Sequence, residues 1–293
     1  MVKSNKVMAL AILVIAVIAS VETAYSQNAS LVLTSAPRGN YAAESATYQP
    51  VADFLSKVTG QKVIYKFSDN WLTYQADMQK GKYDIIFDGP HFVSWRAYHM
   101  DHVPLVKLPQ QHIWVVVANK GDNAVANLNN LVGRAVCAPA PPNFGALTLY
   151  SLFTNPARQP LIVETKSWQD GFTGVTSGKC KATIIPQSNW KKFDPEGKLT
   201  KTIHKHRPFP NQAITVSSKR VPPALQRKMQ VALLSDGGQA AMKQLREQYA
   251  KVGNVLENLV PATKEEYADV DLILKDVRGF EFTPEKKVVG ANR

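Results

Sequence analysis

The chain has 293 residues, and its 35 Lys and Arg outnumber its 23 Asp and Glu, which gives a formal net charge of +12. This length allows one large domain or two lobes of ordinary size. The positive charge is spread along the chain and is densest over 201–207, which favours weak attraction to anionic surfaces or ligands. Because no nucleic-acid-binding motif accompanies this charge, we expect no nucleic acid among the partners.

The first 26 residues have the pattern of a secretory signal peptide. A basic head precedes an apolar core over 7–19, and Ala24-Tyr25-Ser26 forms a small-x-small cleavage site. The apolar core is shorter than the ~20 residues of a comfortable membrane span. We therefore predict a cleaved signal peptide, a mature chain that begins at Gln27 and a periplasmic location.

Alternating strands and helices follow the predicted signal peptide. The strands are short apolar runs, and the first helix carries apolar residues at helical spacing up to its stop at Gly60. The predicted elements are strand 31–34, loop 35–41, helix 45–58, strand 62–67, helix 70–79 and strand 83–87. This β-α-β-α-β order predicts an α/β fold with a parallel sheet.

The segment over 81–92 is the first candidate for a binding site. Its apolar strand suits the interior of a parallel sheet, and Asp88-Gly89-Pro90 ends the strand. Pro90 suits the first position of a helix, predicted over 91–100. Ligands of open α/β sheets lie at the carboxyl edge of the strands, so we expect the start of this helix to face a ligand.

A second series of alternating elements indicates a second lobe. The strand over 112–120 is long enough to leave the first sheet, and the segment over 212–216 is a plausible returning strand. Between them lie strand 135–138, helix 145–153, strand 161–164, helix 168–176 and strand 182–185. Helices are predicted over 222–234, 238–249 and 264–276, the last with Thr263 as its N-cap. The predicted divisions are signal peptide 1–26, lobe I 27–118, lobe II 119–208, return to lobe I 209–280 and flexible tail 281–293.

This organisation resembles that of the periplasmic solute-binding proteins of ABC importers, in particular the phosphate, phosphite and phosphonate family. The local marks are the helix over 48–60 (YQPVADFLSKVTG) and the block over 81–92 (GKYDIIFDGPHF), with a weaker likeness over 167–182. The resemblance implies the two-lobed type II fold, each lobe a mostly parallel sheet flanked by helices and joined to the other by two crossing strands. It also implies a small-molecule ligand, an ABC permease or another envelope transport component as partner, and no cofactor. We expect a monomer.

The resemblance implies that the ligand contacts come from four loops, at 38–41, 88–92, 139–145 and 186–189. The candidate ligand-binding residues are Arg38, Asn40, Tyr41, Asp88, His91, Phe92, Asn143, Phe144, Gly145, Gln187 and Asn189.

One of these loops departs from the family pattern. Phosphonate binders carry a Ser-Thr-Ser-Gly run in the third loop, whereas this chain has Pro142-Asn143-Phe144-Gly145. Losing two or three charge-assisted hydrogen bonds, at roughly 1.5 to 3 kcal/mol each, weakens the binding of an oxyanion. We therefore expect a more apolar or amphiphilic ligand, with aromatic residues such as Trp95 and Trp190 near the site.

Other functions remain open at this point. A carrier of a sterol-like lipid or a ligand-sensing lobe for a membrane sensor kinase would share the hinge closure of a transport protein. Catalytic motifs such as Gly-x-Ser-x-Gly and His-Glu-x-x-His are absent from the sequence, so we expect no enzyme activity. The pairs His99/His102 and His204/His206 offer two metal ligands each, fewer than a metal carrier gathers at one site, and we expect no metal.

The two cysteines, Cys137 and Cys180, suit a disulfide in an oxidising compartment. The predicted strands argue partly against a bridge, because one cysteine lies late in its strand and the other just before the next strand. Neighbouring parallel strands can hold such positions farther apart than the ~7 Å that a disulfide allows between Cα atoms. A disulfide and two buried free thiols both remain possible.

Overall fold

The computed structural model describes residues 30–252, 254–275, 277 and 280. The predicted signal peptide and the predicted tail over 281–293 lie outside the described residues. Within the described part of the chain, no helix has the length and apolarity needed to cross a membrane.

Two mixed sheets form the two lobes, as predicted for a two-lobed α/β fold. The strands of sheet I are β1 (Leu31–Ser35), β2 (Val63–Tyr65), β3 (Ile85–Asp88), β4 (His102–Lys107), β10 (Ala213–Ser217) and β13 (Val260–Pro261). The strands of sheet II are β5 (Trp114–Asn119), β6 (Ala135–Ala138), β7 (Leu161–Glu164), β8 (Ala182–Pro186) and β9 (Thr200–Lys205). A small hairpin pairs β11 (Lys251–Val252) with β12 (Val255–Leu256).

The two sheets share one plan. Sheet I runs β13-β4-β10-β3-β1-β2, with β1, β2 and β3 parallel and β10 antiparallel between β3 and β4. Sheet II runs β7-β6-β8-β5-β9, with β6, β7 and β8 parallel and β5 antiparallel between β8 and β9. In both lobes the carboxyl ends of the parallel strands therefore meet at one edge, where the loops can hold a ligand.

Helices flank both sheets. They are α1 (Tyr41–Thr59), α2 (Trp71–Gln79), α3 (Pro90–His99), α4 (Phe144–Ser151), α5 (Trp168–Thr176), α6 (Gln187–Phe193), α7 (Pro223–Leu234), α8 (Asp236–Ala241) and α9 (Lys243–Tyr249). Short 3₁₀ helices occupy Leu128–Leu131, Pro156–Arg158 and Glu265–Ile273. Helix α1 begins four residues earlier than predicted because Asn40 caps it, and it ends at Gly60 in the left-handed conformation, as its sequence predicts.

The structure corrects three details of the sequence-based prediction. The predicted lobe I limit at residue 118 is wrong because β5 pairs with β8 and β9 of sheet II, where Val115 to Ala118 are buried. The chain crosses between the lobes before β5 and again before β10, and a single bridge joins His112 to Phe209 there. The last predicted α-helix is a 3₁₀ helix, and Lys264 rather than Thr263 precedes it.

Cys137 and Cys180 form a disulfide, with their Cα atoms 5.7 Å apart. The pairing of β6 with β8 aligns Cys137 with Thr183, and the Cys180 N–H donates to the Gly174 carbonyl of α5 at 3.0 Å. The chain thus turns beneath α5 before β8 and brings the two sulfurs together. Gly174 makes this approach possible, because a Cβ on it would lie 2.6 Å from the Cys137 Sγ.

Candidate functional site

Loops from both sheets meet between the lobes. The loops after β1 and β3 come from lobe I, and the loops after β6 and β8 come from lobe II. Side chains of the two lobes are in direct contact in this interlobe cleft: Leu147 of α4 packs into a lobe I cluster that includes Ile86 and Phe92. We call this arrangement, in which the lobes are in contact, the closed form.

His91, the second residue of α3, makes a polar contact across the cleft. It is 4% exposed, and its Nε2–H donates to the Pro142 carbonyl of lobe II at 3.2 Å. Burial is the main reason that the pKa of His91 is lowered to about 3; the hydrogen bond to Pro142 opposes this shift, and the positive charges of Arg38 and Arg96 contribute to it. The ring is therefore a neutral imidazole in the closed cleft. Gly89 gives it room, because a Cβ there would lie 2.8 Å from the His91 Cε1.

Phe144, the first residue of α4, faces His91 from lobe II. The two rings are nearly parallel, 4.9 Å apart at an interplanar angle of 3°. On its other sides the Phe144 ring packs against three more rings. Its centre lies 5.9 Å from that of His112, 5.8 Å from that of Trp114 and 5.0 Å from that of Phe209. We call Phe144, His112, Trp114 and Phe209 the aromatic wall. Phe144, Trp114 and Phe209 are buried in the described structure, so the packing on the lobe II side of the cleft is mostly apolar.

The residues beside Phe144 hold the wall in place. The Asn143 carboxamide caps α4 by accepting from the Gly145 N–H at 2.9 Å. A Cβ on Gly145 would lie 2.7 Å from the Trp114 Cζ3, so glycine is what lets the indole pack against the first turn of α4. Asn143 and Gly145, both predicted as ligand-binding residues, therefore support the start of α4 and the packing of Trp114 beside the cleft.

Arg38 supplies the positive charge of the cleft. Its guanidinium lies over the rings of Phe87 at 5.8 Å and Tyr249 at 5.4 Å. The side chain is exposed, and within the described residues no carboxylate lies close enough to form an ion pair with it. Such a guanidinium is free to pair with an anionic ligand.

A polar group from three elements lies on the lobe I side, next to Arg38. Ser35 at the end of β1 donates to the Glu44 carboxylate at 2.9 Å and contacts the Tyr65 hydroxyl at 3.0 Å. Tyr65 stacks on Tyr48 of α1 with ring centres 5.3 Å apart. Burial raises the pKa of Tyr65 to about 12, so this hydroxyl keeps its proton and can donate.

Asp88, predicted as a polar anchor for the ligand, lies in the core of lobe I instead. It is fully buried and accepts from both terminal nitrogens of Arg96, at 2.6 and 2.8 Å, and from the Tyr74 hydroxyl. The Arg96 guanidinium also donates to the Thr215 hydroxyl of β10. This buried network fixes the turn between β3 and α3, and it uses both carboxylate oxygens of Asp88.

Three other predicted contacts also serve structural roles. The Asn40 carboxamide caps α1 by accepting from the Ala43 N–H at 3.0 Å. Phe92 is fully buried and stacks on Trp71. Tyr41 is 67% exposed and contacts the edge of Phe67 at the rim of lobe I.

The structure places Gln187 at the lobe II edge of the cleft. It is the first residue of α6, and its N–H donates to the Ile113 carbonyl at 2.8 Å. Its side-chain oxygen is buried and has no hydrogen-bond partner in the described part of the chain. Asn189 is half-buried one turn into the same helix, where its side chain accepts weakly from Ser188.

Several buried polar atoms around the cleft have no hydrogen-bond partner among the described residues. They are the Tyr48 hydroxyl, the His91 Nδ1, the His112 Nε2, the Trp114 Nε1 and the Gln187 Oε1. Buried polar atoms in native proteins nearly always have partners, so a group of unpartnered ones points to a ligand or to bound water. Together with Arg38 they can bind a small molecule that has both an anionic and an apolar part.

Metal binding has no comparable support in the part of the chain described. There, no three His, Cys, Asp or Glu side chains are grouped so as to hold a metal ion. His99 contacts Asp271, and His102 lies buried against Thr215. The aromatic residues Trp95 and Trp190 donate to protein oxygens, of Phe280 and Thr200 respectively, away from the aromatic wall.

The sequence analysis missed the residues that complete the cleft: Glu44, Tyr48, Tyr249, His112, Trp114 and Phe209. Glu44 and Tyr48 are one helical turn apart on α1, a spacing that placed them on one face of the helix. His112 and Trp114 flank the crossing point before β5, and Phe209 flanks the crossing point before β10. Because the two crossing segments lie side by side, their aromatic residues His112, Trp114 and Phe209 could have been predicted to line the cleft.

Comparisons with known proteins agree with this architecture. The chain is similar in structure to XAC2383 from Xanthomonas citri bound to ATP, with a TM-score of 0.64 and 12% identity over 85% of this chain and 99% of that one. It is also similar to PhnD1 from Prochlorococcus marinus in complex with methylphosphonate, with a TM-score of 0.60 and 16% identity over 84% and 97% of the two chains. A third similar structure is PA3383, a binding protein component of an ABC phosphonate transporter from Pseudomonas aeruginosa. Its TM-score is 0.56 and its identity 11%, over 84% of this chain and 85% of that one.

At these identities the structural likenesses establish the fold, a two-lobed type II periplasmic binding protein, as the sequence predicted. No curated protein matches the chain in sequence. The family model for the periplasmic substrate-binding protein of the phosphonate ABC transporter matches residues 33–267, which is most of the chain. The protein therefore belongs to the phosphonate-binding family of ABC-transporter periplasmic substrate-binding proteins.

Proposed function

We propose that this protein binds a small organic anion that carries an apolar group, closes on it between the lobes and delivers it to an ABC permease. The family consists of substrate-binding transport proteins, which fixes the general role. The proposal concerns the ligand. It rests on one observation: Phe144, and no hydroxyl run, occupies the lobe II side of the cleft and stacks on His91.

The aromatic wall favours an apolar ligand group for a physical reason. A helix start that binds a phosphonate oxyanion needs N–H and O–H donors, and Pro142 and Phe144 add none from their side chains. Placing a phenyl-sized group against Phe144, Trp114 and Phe209 instead gains about 1.5 to 3 kcal/mol from buried apolar surface. Such a group recovers part of the affinity that the missing hydroxyls would supply.

The lobe I side accounts for the anionic part of the ligand. Arg38 is an exposed cation at the cleft, and the buried Tyr48 hydroxyl has no hydrogen-bond partner among the residues that the structure describes. A phosphonate or carboxylate group that binds Arg38 can accept from this hydroxyl as well. Of the predicted contacts we therefore retain Arg38, His91, Phe144 and Gln187 as ligand-facing residues.

A matched pair of ligands tests the proposal. Isothermal titration calorimetry should show that benzylphosphonate binds the mature protein at least about tenfold more tightly than methylphosphonate, which lacks the phenyl ring. Phe144→Ser should remove most of this preference. Leu161→Ser, which changes an exposed apolar residue of the same lobe, serves as the control and should leave the preference unchanged.

Two results would contradict the proposal. Tighter binding of methylphosphonate than of benzylphosphonate would mean that backbone N–H groups replace the missing hydroxyls and that the specificity is that of a simple phosphonate binder. Binding of neither anion would reject the anion altogether. Native mass spectrometry of the purified protein, before and after solvent extraction, would then identify the molecule that it carries.

The proposed export signal has its own test. We expect the protein isolated from the periplasm to begin at Gln27, so N-terminal sequencing should return Gln27-Asn28-Ala29. A chain that retains Met1 would reject cleavage at this position.

A further inference from the structure

A second cavity lies at the end of sheet I opposite the interlobe cleft. Strand β10 runs antiparallel to β3, and its last residue, Ser217, pairs with His102 at the start of β4. This edge of the sheet therefore holds the amino ends of the parallel strands, whereas the cleft lies at their carboxyl ends. A cavity of about 430 Å³ opens here, between the end of α3, the start of β4 and the residues that follow β10. The proposed function does not use it.

His102 offers a buried hydrogen-bond donor to this cavity. Its ring is 3% exposed and is part of the cavity lining. Its Nδ1 lies 3.3 Å from the Thr215 hydroxyl, whose oxygen already accepts from Arg96 at 2.9 Å. The hydroxyl therefore donates its own proton to Nδ1, and the proton of the ring is on Nε2. This Nε2–H has no hydrogen-bond partner within the described residues, and it is left to face the cavity because Nδ1 points into the core.

Lys219 and Lys264 bring positive charge to the same cavity. Both line it, both are exposed, and neither forms an ion pair with a carboxylate in the part of the chain described. The Lys264 Nζ lies 4.4 Å from the centre of the Tyr98 ring, a contact that leaves N–H groups free. Burial is the main reason that the pKa of His102 lies well below its ordinary value, and the charges of Arg96 and Lys219 act in the same direction. The ring is therefore neutral, and it remains a donor.

The residues around Lys219 complete the cavity. The Ser218 N–H donates to the Asp101 carbonyl at 3.0 Å, which holds the turn after β10 beside the start of β4. The Ser218 hydroxyl accepts from the Gln226 Nε2 at 3.2 Å, so its own proton is free to donate. Among the described residues that line the cavity, Asp101 is the one carboxylate, and it is exposed. Two ammonium groups and two neutral donors thus meet a single negative charge.

We propose that this cavity is a second binding site, separate from the cleft, for a tetrahedral oxyanion of the phosphate type. The ammonium groups of Lys219 and Lys264 pair with its charge, and the His102 Nε2–H and the Ser218 hydroxyl donate to its oxygens. A metal cation does not fit, because the buried His102 nitrogen that faces the cavity already carries a proton. The phosphate group can belong to a free ion or to the headgroup of a membrane lipid, which offer the same oxygens.

Proton–nitrogen correlation NMR of the full mature protein, titrated with inorganic phosphate, tests the site directly. Phosphate should shift the signals of the Ser218 and Lys219 amides and of the His102 Nε2–H along a saturable curve. Lys219→Gln combined with Lys264→Gln should weaken this binding at least about tenfold, as expected for the loss of two charge-assisted hydrogen bonds. Asp101→Asn should strengthen the binding, because it removes the nearby negative charge and asparagine tolerates the left-handed backbone at this position, where φ is 53°.

A second pair of lysines controls for diffuse attraction to a positively charged protein. Lys57→Gln combined with Lys228→Gln removes the same charge from exposed positions around a different groove of lobe I, and it should leave the affinity for phosphate unchanged. Equal weakening by the two double variants would overturn the site. A wild-type titration in which only cleft signals shift, such as that of the His91 amide, would overturn it as well, and this titration needs no variant.

Vesicles separate the two sources of the phosphate group. Sedimentation of the wild-type protein with phosphatidylglycerol vesicles but not with phosphatidylcholine vesicles, lost when Lys219 and Lys264 are replaced, would assign the site to a lipid headgroup. Phosphate-induced NMR shifts without sedimentation would assign it to a free ion. Either result supports the site. Sedimentation that persists without the two lysines, together with unshifted signals of Ser218, Lys219 and His102, would overturn it.

Discussion

Acid should open the ligand-free protein, because closure buries His91 in its neutral form. In the open form the imidazole faces water, and its pKa returns to the ordinary value of 6.5. In the closed form burial lowers that pKa to about 3, and the nearby charges of Arg38 and Arg96 act in the same direction. The closed form therefore binds fewer protons than the open form. The contribution of neutral His91 to the stability of the closed form is fully present above about pH 6.5. It is lost progressively as the pH falls toward about 3.

The magnitude follows from these two pKa values. At about pH 5 the open form is almost fully protonated at His91 and the closed form is not, which disfavours closure by about 2 kcal/mol, or about thirtyfold. His112 adds to the effect, because burial and the charge of Arg38 lower its pKa to about 4. The hydrogen bond from His91 to the Pro142 carbonyl raises the pKa of His91 in the closed form, but burial outweighs it.

Small-angle X-ray scattering measures this opening directly. The radius of gyration of the ligand-free protein should rise between about pH 8 and about pH 5, while far-ultraviolet circular dichroism shows that both lobes remain folded. His91→Asn should reduce the rise. If the wild-type protein scattered identically at both pH values, or became more compact in acid, the idea that the neutral imidazole holds the cleft shut would be refuted.

Three further variants test separate parts of the structure. Asp88→Asn leaves the Arg96 guanidinium buried beside a neutral group, and we expect it to lower the free energy of unfolding in urea by about 3 to 5 kcal/mol; a change below about 1 kcal/mol would contradict the buried network. Cys137→Ala combined with Cys180→Ala opens a loop of 43 residues, for which chain entropy gives a loss of about 4 kcal/mol, measurable by the same titration in comparison with the oxidised wild type. Arg38→Ala should weaken the binding of benzylphosphonate by at least about tenfold with little change in thermal stability, because the side chain is exposed; unchanged affinity would remove Arg38 from the site.

The parallel strands could be predicted from the sequence, because a short apolar run between turn residues leaves few alternatives. The run over 83–87 became β3, and the restarted pattern correctly indicated a second lobe. The position of β5 could not be obtained in this way. An apolar strand such as Val115 to Ala118 suits the centre of either sheet, and only its pairing with β8 places it in the second one.

The candidate site was partly predictable for a similar reason. Strand ends indicate which loops face the cleft, and together with the family resemblance they led to Arg38, His91 and Phe144, which the proposed site retains. They do not say which way each side chain turns. Asp88 turns into the core because Arg96 lies two helical turns later, beneath the same corner. The disulfide escaped prediction because strand positions alone omit the turn beneath α5 that brings Cys180 to Cys137.

The order of the strands along the chain also determines which lobe can be completed first when the chain folds from its N-terminus onward. All five strands of sheet II lie in the continuous segment from Trp114 to Lys205. Sheet I, in contrast, needs β10 between β3 and β4, and β10 follows the whole second lobe along the chain. The second lobe can therefore complete its sheet first, while the edges of β3 and β4 that pair with β10 are still open. Open strand edges can pair wrongly, and a chaperone that shields them would act on lobe I.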